Sequence, residues 1–82
     1  MKQILYITAT WCQPCKLLKP KIQAMQSKFP ITILDADTNA ELLSKYAVRS
    51  VPTILIVNRD TEISRLVGNN ITEQRIAELF NQ

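Results

Sequence analysis

Two cysteines separated by two residues, Cys12 and Cys15, are the part of this sequence best suited to do chemistry. At the start of a helix such a pair brings its sulfur atoms close enough to close a small disulfide ring. The first sulfur then sits at the helix N-terminus, where unpaired N–H groups and the positive end of the helix dipole favour a thiolate over a thiol. A thiolate attacks a disulfide, and the second cysteine resolves the mixed disulfide that results. The following segment carries Lys16, Lys19, Lys21 and Lys28 and no acidic residue. Its field is expected to lower the pKa of Cys12 further, with Lys16 nearest in sequence and weakened by solvent screening.

A Cys-x-x-Cys pair is also half of a zinc site. A closed structural zinc site takes four Cys or His ligands, whereas this chain has 2 Cys and 0 His. Within one chain only a shared intermolecular site or a soft-metal carrier is left for that alternative. Exchange between a dithiol and a disulfide needs no metal and no bound organic cofactor, and none is expected.

Pairs of this kind must be held by a fold, and 82 residues suffice for one domain over residues 1–82. Such a chain buries roughly 60 to 65% of its unfolded surface. A composition that is 46% hydrophobic and 21% charged, with a single Gly, is that of a globular protein, here expected to fold alone as a monomer. Met1-Lys2-Gln3 precedes only the short apolar stretch Ile4 to Ile7, too little for a secretory signal. No later run approaches the roughly 18 apolar residues of a membrane span. The expected location is cytoplasmic, with no membrane partner. There a close Cys pair points to catalysis or metal binding rather than a structural disulfide. The net charge of +3 is spread over scattered Lys and Arg, so no nucleic-acid partner is expected.

The elements that position the pair follow from periodicity. Residues 3–8, rich in Ile, Leu, Tyr and Thr, read as a buried strand leading into the cysteines. Over 13–29, Cys15, Leu18, Ile22, Met25 and Phe29 line one helical face. Pro14 suits the first turn, Pro20 is expected to kink the interior, and Pro30 marks the end. A strand over 31–36 precedes a short helix over 39–46, with Asp37 or Thr38 available as N-cap. Strands over 53–58 and 62–67 flank the turn Arg59-Asp60 and form a hairpin. A last helix over 73–81 has Thr72 as N-cap, with Ile71 and Ile76 placed as a hydrophobic staple. The order β-α-β-α-β-β-α predicts an α/β fold, a four-stranded mixed sheet flanked by three helices, with a crossover joining parallel neighbours.

The run Trp11-Cys12-Gln13-Pro14-Cys15-Lys16 resembles the active-site motif of the thioredoxin family, Trp-Cys-Gly-Pro-Cys-Lys. Pro20 falls where that family kinks its active-site helix, Val51-Pro52-Thr53 is similar to its cis-proline loop, and Gly68 to the glycine beyond its hairpin. The resemblance implies a thioredoxin-like fold and a protein-disulfide reductase working through a reversible Cys12–Cys15 dithiol/disulfide pair. It implies Cys12 as attacking nucleophile and Cys15 as the more buried resolving thiol. Trp11, Gln13, Pro14 and Gly68 would shape the substrate surface. Val51, before a cis Pro52, would offer its backbone N–H and C=O to an extended substrate. Protein disulfides are the implied substrates and an NADPH-dependent thioredoxin reductase the implied electron donor.

Three departures qualify the match. Full-length thioredoxins begin with an additional strand and helix, so in length this chain resembles a glutaredoxin. The family's buried Asp is replaced by Tyr6, and the Lys that often partners it by Ile33, so beside Lys16 the pKa-tuning position is held by Tyr6, which brings no carboxylate to couple to the thiols or to handle the Cys15 proton. Gln13 replaces Gly between the cysteines, where residues help tune the redox potential. Two other readings stand beside the reductase: a glutathione-dependent glutaredoxin-like enzyme, and a binding module that holds a partner without turnover.

Overall fold

Alternation of apolar side chains along the strands sorts the core into two layers, one on each face of a single sheet. In the computed structural model, which describes residues 1–82, the elements run β1 (Lys2–Thr8), α1 (Gln13–Met25), β2 (Ile31–Asp35), α2 (Ala40–Lys45), β3 (Thr53–Asn58), β4 (Thr61–Val67) and α3 (Glu73–Phe80). The sheet order is β2-β1-β3-β4. β1 pairs with β2 in parallel, and β3 is antiparallel to both β1 and β4. This is the four-stranded mixed α/β sheet that the element order predicts, in the arrangement that the resemblance to thioredoxins implies.

Ile4, Tyr6, Ile54 and Ile56 point to one face and pack with Ile22 and Met25 of α1 and Ile76 of α3. Leu5, Ile7, Leu55 and Val57 point to the other and pack with Tyr46 and Val48. A strand buried on both faces reads as an unbroken apolar run rather than an alternation, and this explains Ile4 to Ile7 and Ile54 to Val57.

Helix α1 ends at Met25, short of the expected residue 29. The N–H groups of both Lys28 and Phe29 donate to the Met25 carbonyl at 2.9 Å, so the chain tightens into turns. Phe29 precedes Pro30, and the residue before a proline is pushed out of the helical region. It still packs against Phe80 edge-on, with ring centroids 5.4 Å apart. The apolar period reported burial, which outlasts the helical hydrogen bonds by a turn.

The cap expected at Asp37 or Thr38 is corrected. Those residues lie in a 3₁₀ turn, Ala36–Thr38, capped by Asp35, whose Oδ1 accepts the Asp37 N–H at 2.8 Å. Helix α2 starts from Asn39, whose side-chain amide is engaged with the Asp35 carbonyl at 2.8 Å and caps nothing. At the start of α3 the expectation stands: Thr72 Oγ1 accepts the Arg75 N–H at 3.1 Å, and Ile71 and Ile76 are buried in the same core. Lys2 reaches across from β1 to the carbonyls of Phe80 and Gln82, placing a positive charge at the negative end of the α3 dipole.

Helix α2 closes with Ala47 at φ 52°, and the N–H groups of Ala47 and Val48 return to Ser44 and Leu43, a Schellman closure in which alanine stands where glycine is usual. Arg65 of β4 secures it, donating to the Tyr46 and Ala47 carbonyls while pairing with both carboxylate oxygens of Glu62. Arg65→Ala is expected to lower the unfolding free energy by about 1 to 2 kcal/mol. Hydrogen bonds from Arg65 hold the Glu62 carboxyl below the usual range, against its partial burial. A carboxylate with a depressed folded-state pKa contributes stability above its unfolded value, about 4.3, and loses it as pH falls through the folded value. The gap between wild type and Arg65→Ala in urea titrations is thus expected to be full above about pH 5 and to shrink below about pH 4. A gap independent of pH would assign the effect to the carbonyl contacts alone.

Candidate active site

The strand β1 ends at Thr8, and Ala9 to Trp11 carry the chain over the end of the sheet to the first turn of α1. Cys12 has extended backbone (φ −98°, ψ 110°) and is the N-cap of α1. Its Sγ accepts the Cys15 N–H at 3.3 Å, so a sulfur occupies the place usually held by a Ser or Asp oxygen. Gln13 and Pro14 fill the first two helical positions, and Pro14 forfeits an N–H that has no intrahelical partner there. Cys12 and Cys15 are joined as a disulfide with Cα atoms 5.3 Å apart. Cys12 is 6% exposed and Cys15 0%, so an incoming thiol or disulfide meets Cys12 first.

The other expected residues gather around this pair. The Val51–Pro52 peptide bond is cis, and Val51 packs against the small cluster of Ala9, Cys12 and Cys15. Neither the N–H nor the C=O of Val51 is bonded to another backbone group. Gly68, at φ 59° in the left-handed region that suits glycine, donates its N–H to the Pro52 carbonyl at 3.0 Å. That bond ties the hairpin's exit to the loop beside the disulfide. Pro14, Pro52 and Gly68 together line one cavity of 260 Å³. Trp11 is 65% exposed on the opposite flank, with Val51 and Ala36.

Tyr6 lies under the helix, fully buried, its hydroxyl donating to the Cys15 carbonyl at 3.2 Å. Burial raises the phenol's pKa, with a smaller opposing effect of the Thr8 hydroxyl. Lys16 is exposed, and shares with Lys19, Asp35 and Cys15 a polar cavity of 280 Å³. Two carboxylates were not expected here. Asp37 accepts the Trp11 indole N–H at 3.1 Å and so fixes the exposed ring. Asp35 faces the Cys15 side through that polar cavity. No local motif marks either residue, because Asp35 ends β2, the strand beside β1, and Asp37 lies in the 3₁₀ turn that follows it.

A mixed sheet that presents a sulfur-capped Cys-x-x-Cys helix beside a cis proline defines a thioredoxin-like dithiol/disulfide protein. The chain belongs to the thioredoxin family: the family model described as Thioredoxin matches residues 1–82. Among curated relatives, thioredoxin H5 of Oryza sativa subsp. japonica is 33% identical over 82 residues, covering 96% of this chain and 59% of the relative. A thioredoxin of Echinococcus granulosus is 40% identical over 75 residues, covering 88% of this chain and 68% of the relative. Thus the chain spans only 59% of the length of the rice protein. The X-ray structure of Fasciola hepatica thioredoxin superposes with a TM-score of 0.84 at 26% identity, covering 98% of this chain and 78% of that one. No helix is long and apolar enough to cross a membrane.

Proposed function

We propose that this chain is a thiol–disulfide oxidoreductase that reduces protein disulfides. The observation that carries the reading is the N-cap role of Cys12: its sulfur accepts a helix N–H and is the more exposed of the pair. In the reduced protein the Cys12 thiolate attacks one sulfur of a partner's disulfide, and the other sulfur leaves as a thiolate. Cys15 then loses its proton and attacks Cys12 Sγ, releasing the second partner sulfur and forming the Cys12–Cys15 disulfide. Two electrons pass to the partner, which ends as a dithiol. The free N–H and C=O of Val51 suit an extended partner backbone added as a short strand.

A reductase drawing on NADPH recharges the pair, and the protein works in the cytoplasm as a monomer. Reduction of insulin disulfides is expected with thioredoxin reductase and NADPH, and not with glutathione. Turnover sustained by glutathione alone would replace this donor with the glutaredoxin-like alternative. Biological activity retained by the Cys12→Ser, Cys15→Ser double variant would favour a binding module instead.

A further inference from the structure

The disulfide has two flanks, and the free N–H and C=O of Val51 lie on one of them. On the other flank Pro14, Leu17 and Lys21 follow one another at helical spacing down α1 and face Pro52, Gly68 and Ile71 across a cavity of 260 Å³. A second cavity of 380 Å³ shares Leu18, Lys21 and Ile71 with the first and continues to Met25 and Ile76. The two are continuous through Leu18, Lys21 and Ile71, and form one groove whose near end lies at Pro14 and Pro52, beside the disulfide, and whose far end is lined mostly by apolar side chains. Leu17 stands at its rim, 79% exposed. A solitary exposed leucine is ordinary on a protein surface; this one borders a groove that starts at Pro14 and Pro52, next to the cysteines in sequence and space.

The charge in the groove is placed as well. Lys21 is in none of the chain's ion pairs, which engage Lys45, Arg65 and Arg75. Glu73 is the one acidic residue of the groove, lining its far cavity. From the disulfide to that point Lys21 is the sole charged side chain lining the groove. We infer that this groove reads the partner's chain beyond its cystine, selecting an apolar side chain followed by an acidic one. The inference rests on the reductase reading above and assigns Leu17 and Lys21 as specificity-determining residues. Along α1, at about 1.5 Å per residue, Leu17 and Leu18 lie about 8 Å from the cap position and Lys21 about 13 Å. An extended chain advances about 3.3 Å per residue. The apolar side chain therefore falls about two to three residues from the partner's cystine and the acidic one about four.

The test uses two cystine peptides with leucine two residues beyond the half-cystine, differing in glutamate or lysine four residues beyond it. Bis(2-hydroxyethyl) disulfide, neutral and too small to enter the groove, is the reference substrate. At low ionic strength kcat/KM is expected to be about three- to tenfold higher for the glutamate peptide, and the ratio is expected to narrow in high salt. With each peptide rate taken relative to the same variant's rate on the small disulfide, which removes any change in Cys12 reactivity, Lys21→Glu is expected to invert the preference and Leu17→Ser to slow both peptides about threefold. Equal rates for the two peptides, or a glutamate preference that survives Lys21→Glu, would overturn the inference while leaving the reductase reading intact. Failure of the wild type to reduce even the small disulfide would instead remove the reductase reading and this one with it.

Discussion

Cys15→Ser is expected to convert the protein into a trap that accumulates as a mixed disulfide with its partner, whereas Cys12→Ser is expected to form none. The difference follows from position. Cys12 is the capping residue and the sulfur with exposed surface, so it makes the first bond. Cys15, one helical turn on, is fully buried and reaches only Cys12. Serine at position 15 leaves the first attack unimpaired and removes the second, and release then depends on an external thiol. Both variants are expected to lose turnover by on the order of 10³-fold or more, the scale of removing a nucleophile. They part in what non-reducing electrophoresis and intact-mass measurement detect after incubation with an oxidised protein. Stable adducts of Cys12→Ser, with none from Cys15→Ser, would reverse the assignment.

The N-cap sulfur also links chemistry to folding. In the dithiol state the Cys15 N–H still needs an acceptor at the open end of α1, and a Cys12 thiolate supplies a charged one where a thiol supplies a weak one. The groups that start the helix are thus the groups that favour the reactive form.

How much of this was legible from sequence can be judged residue by residue. The cysteines, Pro14 and the cap at Thr72 were legible because local rules decide them: helix termini leave orphan N–H groups, and few side chains satisfy them. The strands β1 and β3 were legible as apolar runs, since both faces of the sheet are covered. The end of α1 was not, because Phe29 keeps the apolar spacing after the helical bonds have stopped. The start of α2 is not legible locally, because Asp35, Asp37, Thr38 and Asn39 are all competent caps, and the choice among them depends on the 3₁₀ turn that leaves β2. The contact of Trp11 with Asp37 and the placement of Asp35 near Cys15 are products of β1 and β2 lying side by side in register, which no short-range pattern encodes.

Tyr6 carries the last expectation. Its ring is fully buried in the core beneath α1, and its hydroxyl is bonded to the Cys15 carbonyl. Burial holds the phenol above its usual pKa, so it stays neutral wherever the cysteines titrate and cannot share a proton with them. Reduced protein is expected to show one thiolate step between about pH 5 and 8.5, from Cys12, with no carboxylate-linked second step. Tyr6→Phe removes a single hydroxyl. Its cost is about 0.5 to 1.5 kcal/mol, because the Cys15 carbonyl keeps its place in the helical hydrogen-bond ladder, and the thiolate curve is expected to be unmoved. Tyr6→Asp replaces a buried ring with a small acid. Emptying an aromatic site costs about 3 to 5 kcal/mol, and burying an unpaired polar group adds to it. Against a total stability of roughly 5 to 15 kcal/mol, that lowers the melting temperature by about 12 °C or more. In the fraction that remains folded, the new carboxylate is expected to add a second step to the titration. Thiolate absorbance against pH on wild type, Tyr6→Phe and Tyr6→Asp, with thermal melts of each, checks both halves. Two separated steps below pH 8.5 in the wild type would show that another acid is coupled to the cysteines.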